Sequence, residues 1–161
     1  MKESILNHKQ LLMVDDEPDI LTTLEEEILN SCPDSKIDKA TNYEDAAELL
    51  KSKDYDLVVL DIMGVRGFDL LEIAVARKFK VAMLTAHALN PEALEKSHDM
   101  GAMAYLPKDK MGEIVPFLED VLQYEYKSGW KRLMEKLGDY FAEKSILPTD
   151  WKTIVRSGKD Y

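Results

Sequence analysis

One cysteine, Cys32, rules out an internal disulfide and leaves that thiol to behave as a small, buried hydrophobe. No apolar run approaches the length of a membrane span, and the first ten residues lack the apolar core of a signal peptide, so a cytoplasmic setting without membrane contact is expected. Clustered positive charge is missing too. With a formal charge of −10 and a pI near 4.8, the chain does not fit a nucleic-acid partner, whose phosphates are bound by Lys and Arg that displace counterions. No helix-turn-helix, internal repeat or low-complexity tract can be read. The three histidines, His8, His87 and His98, form no transition-metal spacing with cysteine or acids and are expected on the surface.

What is present is a soluble globular composition, 45% apolar and 32% charged, in 161 residues: room for one ordinary domain and an appendage. The acidity is uneven. Residues 1–124 carry 13 Lys and Arg against 25 Asp and Glu, and residues 125–161 carry 8 against 6. The sequence therefore divides into a main domain, 1–124, and a helical C-terminal extension, 125–161, with no recognisable DNA-binding or catalytic output domain.

The organising stretch is Leu57, Val58, Val59 and Leu60, which run without polar alternation into Asp61. Such a run suits a strand buried on both faces of a parallel sheet. Ligands of open α/β sheets bind outside the carboxyl ends of the strands, where the Asp61 carboxylate would project. The design recurs upstream, where Leu11 to Val14 end in Asp15 and Asp16. Further strands are read at 36–40, at 81–85 ending in Thr85, and at 102–106 followed by Pro107 and Lys108. Helices are read between them: one from Pro18 over about 18–30, one capped by Thr41 or Asn42, one beginning near Phe68, one capped by Asn90 before Pro91, and one carrying Ile114 to Leu122. Alternating strands and helices predict an α/β fold with a parallel sheet covered on both faces.

Strand ends thus present Asp15 and Asp16, then Asp61, Thr85 and Lys108. Crowded carboxylates repel unless a cation sits among them, and hard oxygen donors suit Mg²⁺. An aspartate beside Mg²⁺ can attack phosphorus to form an acyl phosphate, with Lys108 and Thr85 contacting the phosphoryl oxygens.

That order of residues resembles the response-regulator receiver domain of two-component signalling, over about residues 8–124. The resemblance implies a flavodoxin-like, doubly wound five-stranded sheet in the order 2-1-3-4-5. It implies Asp61 as phosphoacceptor from a sensor histidine kinase or phosphotransfer protein, and Mg²⁺ bound by Asp16, Asp61 and the Met63 carbonyl, with Asp15 acting through a metal-bound water. Thr85 and Lys108 match the phosphate-sensing pair and Ala86 the small neighbour. Tyr105 matches the aromatic switch on the surface of the fourth helix, fifth strand and fifth helix. Met63 and His87 occupy two positions that influence phosphoryl loss. Two departures stand out: the turn after Asp61 lacks a proline and is two residues short, and Asp109 follows Lys108 where relatives carry proline.

The functional expectation is a stand-alone response regulator, a signalling phosphoprotein and not an enzyme, whose phosphorylation switches binding to another protein. The alternatives are a phosphorylation-independent adaptor of the same fold and an aspartyl-phosphate phosphohydrolase; the latter usually places a second acid where Met63 stands. In the extension, Trp130, Leu133, Met134, Leu137, Tyr140 and Phe141 recur at helical spacing. A stripe of that size needs burial, against its own domain, a partner or a second copy. Self-association, with Ser128 and Gly129 as a hinge and the helix ending near Leu147 and Pro148, is the working expectation.

Overall fold

The computed structural model describes residues 3–86 and 90–144, so His87 and the segment around Leu147 and Pro148 lie outside the described residues. Five strands form one parallel sheet: β1 (Gln10–Val14), β2 (Lys36–Ala40), β3 (Leu57–Asp61), β4 (Lys80–Thr85) and β5 (Ala104–Pro107), in the order β2-β1-β3-β4-β5. This is the doubly wound, flavodoxin-like arrangement. β3 is buried throughout, as its unbroken apolar run requires when helices cover both faces. β2 lies at an edge and leaves Lys36 and Lys39 exposed.

The helices are α1 (Pro18–Ser31), α2 (Tyr43–Ser52), α3 (Gly67–Ala76), α4 (Pro91–Asp99), α5 (Ile114–Gln123) and α6 (Tyr126–Glu143). Their starts follow local chemistry. Asn42 accepts a hydrogen bond from the Asp45 N–H at 2.8 Å, and Asn90 accepts one from the Ala93 N–H at 2.7 Å, each satisfying an amide that the helix leaves open. Pro18 and Pro91 sit in first turns, where no amide hydrogen is needed. A 3-10 segment, Lys108–Glu113, links β5 to α5.

The extension departs from expectation in two ways. Ser128 and Gly129 are no hinge, because α6 runs through both without a break. The apolar stripe is not held out for a second copy: Trp130, Leu133, Met134, Leu137 and Phe141 are all buried against the chain's own core. The Trp130 indole N–H donates to the Ala102 carbonyl at 2.8 Å, its ring meets His98 at 5.0 Å, and Phe141 meets Tyr105 at 5.8 Å. Each such side chain contributes about 1.5–3 kcal/mol relative to exposure. That burial takes from the surface the stripe that self-association through this helix would need. It also covers His98, expected on the surface and instead buried beneath Trp130 and Tyr126.

Among the described residues no helix is long and apolar enough to cross a membrane.

Candidate phosphoacceptor site

Register brings the sequence-predicted residues to one edge of the sheet. Val14 pairs with Leu60, Asp61 with Leu84, and Thr85 with Pro107, so Asp15, Asp61, Thr85 and Lys108 all sit at or just beyond the carboxyl ends of neighbouring strands. Asp15, Asp61, Thr85 and Lys108 are buried, whereas Asp16 is exposed at the mouth. Carboxylate oxygens of Asp15, Asp16 and Asp61 lie within 4.8 Å of one another.

Lys108 Nζ lies 2.8 Å from Asp15 Oδ2 and 3.3 Å from Asp61 Oδ1. The other Asp15 oxygen, Oδ1, accepts a hydrogen bond from the Glu17 N–H at 2.9 Å, which fixes the carboxylate's direction. Burial pushes the Asp61 carboxyl up to about 6, with the Asp15 charge adding to the rise and Lys108 opposing it. Burial also raises Asp15, against the pull of Lys108 and the Glu17 amide. Lys108 is itself buried, which favours its neutral form, but its bond to Asp15 and the charges of both carboxylates hold it above an ordinary lysine. One ammonium thus faces three carboxylates. Two like charges at this separation repel by about 3–4 kcal/mol at an effective dielectric near 20, so the site is short of positive charge. Three converging hard oxygen donors, two of them buried, fit a small divalent cation such as Mg²⁺.

The short turn after Asp61 is closed by two glycines, a feature that inspection of acids and hydroxyls alone overlooks. Gly64 has φ +84°, and a Cβ there would stand 2.4 Å from Asp16 Oδ2. A Cβ at Gly67 would stand 2.1 Å from the Asp61 carbonyl oxygen, while its amide donates to the Ile62 carbonyl at 3.1 Å. The turn is therefore folded hard against the Asp16 carboxylate and the Asp61 main chain. Met63, in the same turn, is half exposed. Arg66 turns the chain into α3 with a left-handed backbone and lays its guanidinium over the Tyr43 ring at 4.1 Å.

Tyr105 is fully buried in β5; its hydroxyl accepts from the Asn90 N–H at 3.2 Å, and burial pushes it up to about 12. Away from the sheet edge, Glu3, His8 and Asp34 also converge, with His8 Nε2 3.3 Å from Glu3 Oε1. All three are exposed, as ordinary surface side chains are.

The chain matches the response regulator receiver domain family over residues 11–118, which hold Asp15, Asp16, Asp61, Thr85, Tyr105 and Lys108. It belongs to that family, whose members are signalling domains of two-component systems. The solved structures agree on fold. A response regulator receiver domain protein of Methanospirillum hungatei is 23% identical with TM-score 0.60, the match covering 71% of this chain and 96% of that one. A signal receiver domain of a DNA-binding response regulator from Colwellia psychrerythraea is 23% identical with TM-score 0.64, covering 72% and 99%. A response regulator from Thermotoga maritima is 18% identical with TM-score 0.63, covering 72% and 98%. No curated protein matches the chain. Helix α6 begins at Tyr126, beyond the family's span.

Proposed function

We propose that Asp61 accepts a phosphoryl group from the phosphohistidine of a sensor histidine kinase or phosphotransfer protein. The receiver unit would span 1–124 with 125–161 as its extension, acting in the cytoplasm. An Asp61 carboxylate oxygen attacks phosphorus, the phosphorus–nitrogen bond breaks, the histidine leaves with a proton, and an acyl phosphate forms. Asp15, Asp16, Asp61 and the Met63 carbonyl would hold Mg²⁺, which supplies positive charge against the phosphoryl oxygens. Lys108 already lies 3.3 Å from Asp61 and pairs with an incoming phosphoryl oxygen, and the Thr85 hydroxyl donates to another. Asp61 serves as acceptor in its ionised form, which predominates above pH about 6. Tyr105 acts as the switch that follows Thr85, and the altered surface binds a downstream protein.

The observation that carries this reading is one ammonium shared between two buried carboxylates while a third stands at the mouth. Intact mass after incubation with Mg²⁺ and acetyl phosphate tests it. Gain of one phosphoryl group, lost in Asp61→Asn and without Mg²⁺, is the expected result. No gain with several donors would point to the phosphorylation-independent adaptor.

A further inference from the structure

Helix α6 lies outside the family's span, yet it is wired to the acceptor site through one short segment. Lys108, whose ammonium holds Asp15 and Asp61, is the first residue of the 3-10 segment Lys108–Glu113. The next residue, Asp109, accepts a hydrogen bond from the Tyr140 hydroxyl of α6 at 2.9 Å. Lys110 follows with its ammonium 5.2 Å from the centre of the same Tyr140 ring. It also carries the segment's one departure from helical backbone, φ −105° and ψ 17°. Beside Tyr140, Phe141 packs on Tyr105, three residues before Lys108.

The two halves of α6 are held by different parts of the protein. Its first half is fixed to scaffold: Trp130 donates to the Ala102 carbonyl and Arg132 pairs with Asp120 at 3.0 Å, and Lys136, just past the middle, pairs with the same acid at 2.5 Å. The second half rests, through Tyr140, on the segment that begins in the site, and, through Phe141, on Tyr105 just before that segment. We infer that this half reports the state of Asp61: a phosphoryl group there loosens it from the domain, and its docking in turn holds back phosphorylation.

The direction follows from charge, given the acceptor reading above, on which the inference rests. Lys108 now sits nearer Asp15 than Asp61. A phosphoryl group replaces one carboxylate charge with about −1.5 to −2 and three acceptor oxygens, which draws the ammonium away from Asp15. Asp109 is covalently next. Its bond to Tyr140, at 2.9 Å, is already near the long end of the roughly 2.5–3.0 Å range for O–H···O, so a displacement of a few tenths of an ångström weakens it. Linkage then requires the reverse effect of equal size, so a loosened α6 favours phosphorylation.

Hydrogen exchange by mass spectrometry on the full chain, with intact mass on the same samples, tests this. With Mg²⁺ and acetyl phosphate, amides of residues 137–143 should exchange about fivefold faster or more, while residues 128–133 and the sheet do not change. Lys108→Gln and Tyr140→Phe, without any donor, should raise exchange in the same stretch, and Tyr140→Phe should gain the phosphoryl group faster than wild type. A phosphoryl gain with residues 137–143 unchanged overturns the inference. So does wild-type exchange in both variants, whether or not Asp61 is ever modified. Failure of the mass gain alone counts against the acceptor reading, and the variants then decide the coupling by themselves.

Discussion

Lys108 stands closer to Asp15, at 2.8 Å, than to the proposed acceptor Asp61, at 3.3 Å. The acceptor therefore shares its counter-charge with a neighbour that competes for it. Two buried carboxylates and one ammonium leave a net negative site, and the three groups cannot be altered independently.

Removing the ammonium should expose that dependence. Lys108→Met leaves Asp15 and Asp61 buried without their cation, which costs about 3 kcal/mol, the lower end for breaking a buried pair since the side chains can protonate. Asp15→Asn in the same background should recover part of the loss. A double-mutant cycle by urea unfolding checks it, and additive effects would mean the pair is not coupled.

The raised Asp61 carboxyl sets a pH dependence for metal-free protein. Its folded value of about 6 exceeds the ordinary 3.8, so between these pH values the folded chain binds a proton that the unfolded chain does not. The associated stability is fully present below about pH 4 and lost as pH rises through 6. That rise from 3.8 to about 6 corresponds to about 3 kcal/mol as an upper figure. Asp61→Asn should therefore be more stable than wild type at pH 7.5 in EDTA by about 1–3 kcal/mol, with the advantage vanishing near pH 4. Saturating Mg²⁺ should narrow the gap at pH 7.5.

How much of this was legible beforehand depended on the range of the interaction. The run from Leu57 into Asp61 shows both the strand and the candidate site because burial on two faces and a terminal acid are written in adjacent residues. Asn42, Asn90 and the prolines announce helix starts for the same local reason. The destination of the Trp130 to Phe141 stripe was not legible: amphipathic spacing says that a face is buried, never by what. His98 is hidden for the same reason, since its cover comes from a helix 28 residues further on, where Trp130 also reaches back to Ala102. Ser128 and Gly129 suggested a hinge from residue type, and tertiary packing of α6 overrode that propensity. The preference of Lys108 for Asp15 is a matter of half an ångström, beyond any pattern.

Gly64 tests the closed turn. With φ +84° and its missing Cβ 2.4 Å from Asp16 Oδ2, Gly64→Ala should cost about 1–2 kcal/mol and push the Asp16 carboxylate aside. Titration calorimetry should then show Mg²⁺ binding weakened about tenfold or more. Unchanged affinity would mean that Asp16 takes no part in holding the ion.

The burial of α6 makes a prediction about how the chain unfolds. Leu137 is 3% exposed and sits in the core with Trp130, Met134 and Phe141, so truncation leaves a cavity among side chains that the sheet domain also lines. Leu137→Ala should cost about 2–4 kcal/mol. A helix docked on its own domain loses this in a transition that does not depend on protein concentration. A dimer seam would instead give a midpoint that falls on dilution, because association contributes to stability by mass action. Urea unfolding across a hundredfold range of concentration separates the two, and the intramolecular contacts of Trp130 and Phe141 lead us to expect the first outcome.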